Sequence, residues 1–188
     1  MGKYELVKRD FITYKGRKLY RIRALRIIIT TKVTVLKGDR GGYVEGYHNL
    51  SQEGTCWVDD GAKVFGNARV IDHAFVGEYA EISGNSRIKD KARVGGEAEV
   101  YGNASIEDSA RVTQESRVFG NAVVRGDSEI YGDAEVYGNA RIHNNSKVRD
   151  LAKVKDNAVV MNCALVRNCE VVRDNAVVNL LYPLSNYF

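Results

Sequence analysis

The chain has 188 residues, which is enough for one domain or for a solenoid with a cap. Its formal charge of +4 and pI near 8.9 are mildly basic, and they do not favour nucleic-acid binding unless one face concentrates the charge. The sequence shows no signal core and no apolar run of membrane length, and its three cysteines follow no metal-site spacing, so we expect a cytoplasmic protein without a membrane segment.

The first predicted element is a β-hairpin near the N-terminus. Residues 11–14 and 19–25 alternate as half-buried strands do, and residues 15–18 between them are typical of a turn. The β-branched residues 26–36 predict a further strand. We interpret residues 1–55 as a β cap, because the end of a repeat array exposes unpaired backbone and apolar interior that must be covered.

A repeat occupies the rest of the chain. The turn Gly66-Asn67-Ala68 recurs every 18 residues as far as residues 138–140 and continues in weaker form at 156–158 and 174–176. Within each 18 residues there is a period of six, and every sixth residue from Val58 to Val178 is Val or Ile. Repeats of this kind determine the whole fold.

Each six-residue unit reads as one short strand and one corner. From residue 62 to residue 176, the residue two before each Val or Ile is Ala or Ser, except Glu170, so strand alternation places both on the inner face. Gly, Asn and Asp fill the corners, where they tolerate left-handed backbone. Three units then close a triangular coil. This predicts an all-β solenoid of about seven coils over residues 56–178, followed by a capping tail at 179–188.

The repeating pattern of Val or Ile, three free positions, Ala or Ser, and one free position resembles the hexapeptide repeat of left-handed β-helix proteins such as bacterial acyltransferases. The resemblance implies left-handed winding. The segments 37–45 and 49–58 also resemble the opening of the uncharacterised YdcK-type transferase family and of related prophage-encoded repeat proteins. That second resemblance brings no established activity with it.

One predicted wall carries a column of aromatic residues at the 18-residue period, with Arg117 beside it. The column consists of Phe65, Tyr101, Phe119 and Tyr137, with Ser83 in the second coil. Stacking that stabilises the wall is one interpretation. A contact surface, most simply with a copy of the same chain, is the other. The other two walls carry Arg and Lys interleaved with Glu, which favours a solvated surface over a nucleic-acid site.

Outward positions near the C-terminal end become apolar: Val159, Met161, Leu165, Val171 and Val177. The apolar tail predicts either a cap folded over this end or a subunit interface, and the two are compatible. Glu170 indicates that the regular core ends there. A buried catalytic carboxylate is the alternative interpretation.

An enzyme is the weaker hypothesis. Acyl transfer from acetyl-CoA or another acyl-CoA, which the family resemblance implies, generally needs a catalytic His, and only His48, His73 and His143 are present. His143 and His48 are the least implausible bases. His73 and His143 are almost four coils apart, so they cannot share a metal ion within one chain, and no metal site or cofactor is expected.

The leading hypothesis is a non-catalytic β-solenoid that serves as an interaction or assembly module and associates with itself through a flat wall. We expect a homo-oligomer, either a dimer or a trimer. The prophage resemblance adds a host protein as a possible partner, for example one that a phage-borne inhibitor would bind. The alternatives are an acyltransferase with its site at a subunit groove, and a protein that holds a small ligand between subunits.

Overall fold

The computed structural model describes residues 2–180, which contain strands and turns but no helix. The first five strands are β1 (Tyr4–Tyr14), β2 (Arg17–Ala24), β3 (Ile28–Ile29), β4 (Thr34–Val35) and β5 (Arg40–Val44). Strands β1 and β2 form the predicted antiparallel hairpin. Its turn residues Lys15 and Gly16 both have positive φ, 46° and 73°, as a tight two-residue hairpin turn requires.

The predicted strand over residues 26–36 is wrong, because a turn divides this segment. Strands β3 and β4 pair antiparallel as a small second hairpin. At its tip, the Thr30 hydroxyl donates to the carbonyl of Val33 at 2.7 Å and accepts from the amides of Lys32 and Val33. A hydroxyl that bonds to nearby backbone in this way favours a turn over continuous strand, despite the β-branched composition.

The remaining strands are short and follow one another at intervals of six residues. They are β6 (Trp57–Val58), β7 (Lys63–Val64), β8 (Arg69–Val70), β9 (Phe75–Val76), β10 (Glu81–Ile82), β11 (Arg87–Ile88), β12 (Arg93–Val94), β13 (Glu99–Val100), β14 (Ser105–Ile106), β15 (Arg111–Val112), β16 (Arg117–Val118), β17 (Val123–Val124), β18 (Glu129–Ile130), β19 (Glu135–Val136), β20 (Arg141–Ile142), β21 (Lys147–Val148), β22 (Lys153–Val154), β23 (Val159–Met161), β24 (Leu165–Val166), β25 (Val171–Val172) and β26 (Val177–Asn179).

Every third strand belongs to the same parallel sheet, so the chain winds through three walls. We call them wall 1 (β5, β7, β10, β13, β16, β19, β22 and β25), wall 2 (β6, β9, β12, β15, β18, β21 and β24) and wall 3 (β8, β11, β14, β17, β20, β23 and β26). This confirms the predicted solenoid of stacked parallel coils, which is compatible with a hexapeptide-repeat β-helix. The left-handed winding implied by the resemblance stays a prediction.

The stack contains about eight coils, one more than the repeat predicts, because the ladders begin before residue 56. In the first coil, Val44 pairs with Val64 and Leu50 forms a parallel bridge to Val70. Leu50 and Val58 are eight residues apart instead of six, so two extra residues interrupt the rhythm there. This irregular spacing is the reason that the sequence pattern does not reveal the first coil.

The core is the column of Val and Ile inside the three walls, together with the Ala and Ser that precede them. These residues are fully or almost fully buried from Val58 to Val166. Three of the buried serines satisfy their hydroxyls locally, each donating to the carbonyl three residues before it: Ser86 to Ser83, Ser116 to Thr113 and Ser146 to His143. Small residues let the coil narrow at each corner, and the local hydrogen bonds remove the cost of a buried hydroxyl.

The Gly-Asn-Ala turn forms one corner of the triangle, as predicted. Its glycine has a positive φ in each coil, and a Cβ on Gly84 would lie 2.8 Å from the backbone nitrogen of Gly102 in the next coil. The asparagines form a ladder in which each side-chain amide donates to the next, at 2.9–3.2 Å, through Asn67, Asn85, Asn103, Asn121, Asn139, Asn157 and Asn175. The ladder links each coil to the next.

The two hairpins cover the N-terminal end of the stack. Strands β1 and β2 extend wall 1 antiparallel beyond β5, so the outer edge of that sheet is β1. Tyr4, Leu6 and Trp57 are buried beneath this cap. The predicted β cap therefore does what a solenoid end needs, which is to pair the first exposed edge and to cover the apolar interior.

Candidate interaction surfaces

The aromatic column on wall 1 is a true stack in its central part. The ring centroids of Tyr101 and Phe119 are 4.8 Å apart with planes 3° from parallel, and Phe119 and Tyr137 stack at 4.8 Å and 2°. All three side chains are half-buried, since each ring covers its neighbour. Burial raises the pKa of the Tyr101 hydroxyl. This geometry favours the stabilising interpretation of the column, and it leaves only the ring edges and the outer faces of Tyr101 and Tyr137 for a partner.

Phe65 is not part of this exposed column, contrary to the prediction. Its side chain is only 6% exposed, because the tip of the β1–β2 hairpin folds over wall 1. The Tyr14 ring packs edge-on against Phe65 with centroids 6.0 Å apart, and the Tyr14 hydroxyl donates to Glu81 at 2.7 Å. Lys15 also forms an ion pair with Glu81. The cap thus occupies the part of wall 1 that Phe65 would offer to a partner.

Charged side chains along walls 1 and 2 are mostly neutralised by the coils next to them. Two carboxylates each lie between two cations: Glu135 between Arg117 (3.8 Å) and Lys153 (2.9 Å), and Glu129 between Arg111 (3.3 Å) and Lys147 (2.7 Å). Such exposed pairs stabilise the fold little, but they reduce the net field of the wall. Arg117, a predicted interface residue, therefore has an intramolecular partner.

Wall 3 has a different charge pattern. Arg69, Arg87, Arg125 and Arg141 are exposed, and none of them forms an ion pair with any residue in the described part of the chain. Lys89 is the exception on this wall, because it lies 3.4 Å from Glu107. Wall 3 is consequently the most electropositive of the three walls, which the sequence pattern alone did not single out.

The predicted apolar residues near the C-terminus form a ring around the last coils and do not share one wall. Val159, Met161 and Val177 lie on wall 3, Leu165 on wall 2 and Val171 on wall 1. Val159 and Met161 are half-buried, whereas Leu165, Val171 and Val177 are 37%, 53% and 60% exposed. We call these three exposed side chains the C-terminal ring. The capping tail predicted at 179–188 lies outside the described residues beyond Leu180.

Glu170 is not a buried catalytic carboxylate. Its side chain is exposed, and its carboxylate accepts a hydrogen bond from the backbone amide of Arg167 at 3.0 Å. Within residues 2–180, the interior positions of the last coil are partly open: Val172 and Val178 are half-buried, and Ala176 is exposed. The interpretation that Glu170 marks the end of the regular core agrees with this opening.

The three histidines lie apart, each with its own local contact. His48 is exposed, and its Nε2 lies 2.8 Å from the carbonyl of Gly66 in a shallow depression that Arg17 and Glu45 also line. His73 contacts the Thr55 hydroxyl at 3.0 Å, and His143 is half-buried on wall 3. No group of three or more metal-ligating side chains occurs among residues 2–180.

Sequence reasoning missed two features of the surface and one of the interior. The sequence shows asparagines that recur every 18 residues, and it predicts them as corner residues. It does not show that their side chains hydrogen-bond from coil to coil. The unpaired arginines of wall 3 depend on which carboxylates reach which cations, and a pattern does not show that. Nothing in the sequence indicates that Lys3 is buried against Cys56.

Two findings bear on classification. In the described part of the chain, no helix could span a membrane. No protein-family model matches this sequence, and no curated protein matches it significantly.

Proposed function

We propose that this protein is a non-catalytic assembly module, a β-solenoid that associates with a second copy of itself through its C-terminal coil. The observation that carries the proposal is the C-terminal ring, in which Leu165, Val171 and Val177 expose apolar side chains on all three walls at one level of the prism. Exposed apolar side chains that gather at one end of a protein with charged walls indicate an interaction site.

The backbone at this end supports the same proposal. Strands β24 and β25 are the outermost strands of their sheets in the described residues, so each presents a row of backbone groups with no described strand beyond it. Such an edge is a template for pairing with another chain. A second copy related by a twofold axis would bring identical edges together, would cover the open interior at Val172, Ala176 and Val178, and would bring both C-terminal rings to the contact.

Wall 1, the flat wall with the aromatic column, is the weaker candidate for self-association. The central aromatic rings of wall 1 already cover one another, and Phe65 is covered by Tyr14 of the same chain. Fully burying an aliphatic side chain stabilises a complex by about 1.5–3 kcal/mol. The half-exposed ring residues therefore have more to gain from a partner than the stacked aromatic residues do.

Sedimentation velocity over a wide range of concentrations tests the proposal. We expect the wild-type chain to dimerise, and we expect Val171→Glu with Val177→Glu to make it monomeric because two charges would be buried at the contact. The matched control is Phe119→Glu with Tyr137→Glu on wall 1, which should leave the dimer intact. A strictly monomeric wild type, or a dimer abolished only by the wall 1 variant, would overturn the proposal.

A chain ending at Leu180 separates the second copy from the other occupant of this end, residues 181–188. If those residues cover the coil in the monomer, the shortened chain will associate more strongly than the full chain. If a second copy covers the coil, the shortened chain will associate as the full chain does.

Acyl transfer from an acyl-CoA is the second candidate, and the surroundings of His48 favour it over His143. The Nε2 contact with the Gly66 carbonyl makes that nitrogen the proton donor, which leaves Nδ1 as an acceptor able to act as a base. Arg17 beside it could attract a phosphate, although it now pairs with Glu45 at 2.9 Å. Calorimetry with acetyl-CoA that finds no binding would remove this candidate.

A host protein as partner, as the prophage resemblance implies, would use the same exposed end or wall 3. Capture from host lysate of one stoichiometric protein, lost in Val171→Glu or in Arg87→Glu, would identify which surface it binds. A site for a small ligand between subunits exists only if the chain forms an oligomer. The sedimentation experiment therefore comes before any search for such a ligand.

A further inference from the structure

The amine of Lys3 is buried against the thiol of Cys56 at the N-terminal end of the solenoid. Lys3 is 1% exposed, and its Nζ lies 3.0 Å from the Cys56 Sγ. The Nζ also donates to the carbonyls of Cys56 at 2.8 Å and Glu53 at 3.1 Å. No carboxylate in the described part of the chain forms an ion pair with it. A buried lysine without a counter-ion is uncommon.

Their surroundings favour the uncharged form of both groups. Burial lowers the pKa of the Lys3 amine, and burial raises the pKa of the Cys56 thiol. A lowered pKa increases the fraction of the amine that is uncharged, and this form has the free electron pair of a nucleophile, which the ammonium ion lacks. Apart from Lys3, the hydrogen-bond partners of the Cys56 Sγ among the described residues are the backbone carbonyls of Ser51, Glu53 and Val70, at 3.6–3.7 Å.

A clasp of hydrogen bonds holds the two atoms in position. The side-chain oxygen of Gln52 accepts from the backbone amide of Lys3 at 2.7 Å, and its nitrogen donates to the carbonyl of Tyr4 at 3.1 Å. The Tyr4 hydroxyl donates to the carbonyl of Leu50 at 2.7 Å. Reacting atoms fixed at about 3–3.5 Å are in near-attack geometry. The two extra residues between Leu50 and Val58 supply the loop that makes this clasp.

We propose that Lys3 and Cys56 form a covalent cross-link, a direct bond between Nζ and Sγ, when the protein meets a peroxide. Peroxide first oxidises the thiol to a sulfenic acid: a sulfur–oxygen bond forms, the oxygen–oxygen bond breaks and one water leaves. The Lys3 electron pair then attacks sulfur, and the sulfur–oxygen bond breaks. The departing hydroxide takes one proton from nitrogen and leaves as a second water. Sulfenic acids condense with a nearby nitrogen in this way.

The step balances without any further reagent. The thiol and the amine lose one hydrogen each and two electrons in total, and one peroxide is reduced to two waters. The product joins the N-terminal strand covalently to the first coil. Because Cys56 is buried, peroxide reaches it only through local opening of the fold, so its oxidation is slower than that of an exposed thiol.

The chain contains its own control cysteines. Cys163 and Cys169 are free and exposed, and neither makes a hydrogen bond to a lysine in the described part of the chain. They should react faster with peroxide and should gain oxygen. Of the three cysteines, only Cys56 should become joined to a lysine, because in the described part of the chain only Cys56 has a lysine amine within bonding reach.

Treatment of the full chain with hydrogen peroxide, followed by digestion and mass spectrometry, tests the proposal. We expect a pair of peptides joined through Lys3 and Cys56, lighter than their sum by two hydrogen atoms and separated again by dithiothreitol. Lys3→Arg should abolish the joined pair, whereas replacement of an exposed lysine in β1, Lys8→Arg, should not. The fluorescence of Trp57, which lies next to Cys56, reports whether each variant is folded.

Several results would overturn the inference. Cys56 could gain only oxygen in the wild type, or it could fail to react while Cys163 and Cys169 are oxidised. The joined pair could form equally well in urea, which would show that the fold does not bring the two groups together. A joined pair heavier by one oxygen would keep the two residues but overturn the direct nitrogen–sulfur bond.

Discussion

The two ends of the solenoid differ although the coils between them are alike. At the N-terminal end, two hairpins cover the first coil, and Tyr4, Leu6 and Trp57 are buried beneath them. At the C-terminal end of the described residues, Val178 is half-buried and Val177 is exposed. The repeat therefore builds a core and three walls but does not build an end. An end needs residues that break the repeat, and in this protein the non-repeating residues of the N-terminal cap form that end.

This difference implies a gradient of stability along the prism. Each coil contacts chiefly the coils before and after it, so stability is approximately the sum of local terms. An inner coil has neighbours on both sides, whereas the last described coil has one. We expect residues near the C-terminal ring to open first and residues beneath the cap to open last.

The largest expected effect comes from a charge in the interior of the closed end. Val64→Asp should cost about 4 kcal/mol or more, or prevent folding, because Val64 is fully buried and the carboxylate would have no partner. Val178→Asp should cost about 1 kcal/mol, since water reaches that position. Urea unfolding followed by circular dichroism measures both. Equal costs would contradict the gradient.

A smaller effect is expected where the cap packs against the first coil. A Cβ on Gly41 would lie 2.6 Å from the Trp57 ring and still closer to the carbonyl oxygen of Val58. Gly41→Ala should therefore destabilise the protein by about 1–3 kcal/mol through overpacking. The control is Gly95→Ala, where the nearest atom would be 3.5 Å away. Fluorescence of the single tryptophan should shift in the first variant and not in the second.

Substitutions in the asparagine ladder should also cost more stability in an inner coil than in the last coil, but the costs should be smaller. Asn139 accepts from Asn121 and donates to Asn157, both at 3.0 Å, whereas Asn175 in the last coil only accepts, from Asn157 at 3.2 Å. A net hydrogen bond contributes about 0.5–1.5 kcal/mol. Asn139→Ala should therefore cost roughly twice as much as Asn175→Ala in urea unfolding. A larger loss for Asn175 would mean that the end makes contacts beyond the ladder.

The smallest effect concerns the ion pair that holds the β3–β4 hairpin to the solenoid. The hydrogen bond from Lys32, together with that from the Gly96 amide, lowers the pKa of the Glu78 carboxyl. A lowered pKa stabilises the fold above the ordinary value for Glu, and the stabilisation is lost as pH falls through the folded value. Glu78→Gln should therefore lower the free energy of unfolding at neutral pH. In acid, where Glu78 itself is protonated, the substitution should have no effect on stability. The difference should stay below about 1 kcal/mol, because the half-exposed side chain is screened by water.

The repeat was readable from sequence because its signals coincide in every coil. Val or Ile at each sixth position, a small residue two before it and Gly at the Asn-containing corner all predict the same backbone, and the structure confirms the solenoid and the wall assignments. Irregular segments carry no such redundancy. Residues 26–36 have the composition of a strand, yet Thr30 bonds to local backbone and divides them.

The candidate surfaces were only partly predictable, because exposure depends on what folds over a wall. Period alone placed Phe65 in line with Tyr101, but it did not show that Tyr14 reaches across to cover it. The apolar residues near the C-terminus were recognised individually. Their arrangement as a ring on three walls required the walls to be assigned coil by coil.

The number of six-residue units determines the length of the prism and also which wall each later residue occupies. Inserting eighteen residues would lengthen the stack by one coil, about 4.8 Å, and would leave every later side chain facing its original direction. Inserting six would keep each anchor in the core but turn everything after it by one third of a revolution. The aromatic residues of wall 1 beyond the insertion would then share wall 3 with the unpaired arginines that precede it. The length of the stack can thus change without changing the direction in which later side chains point, and a different insertion changes that direction within the same fold.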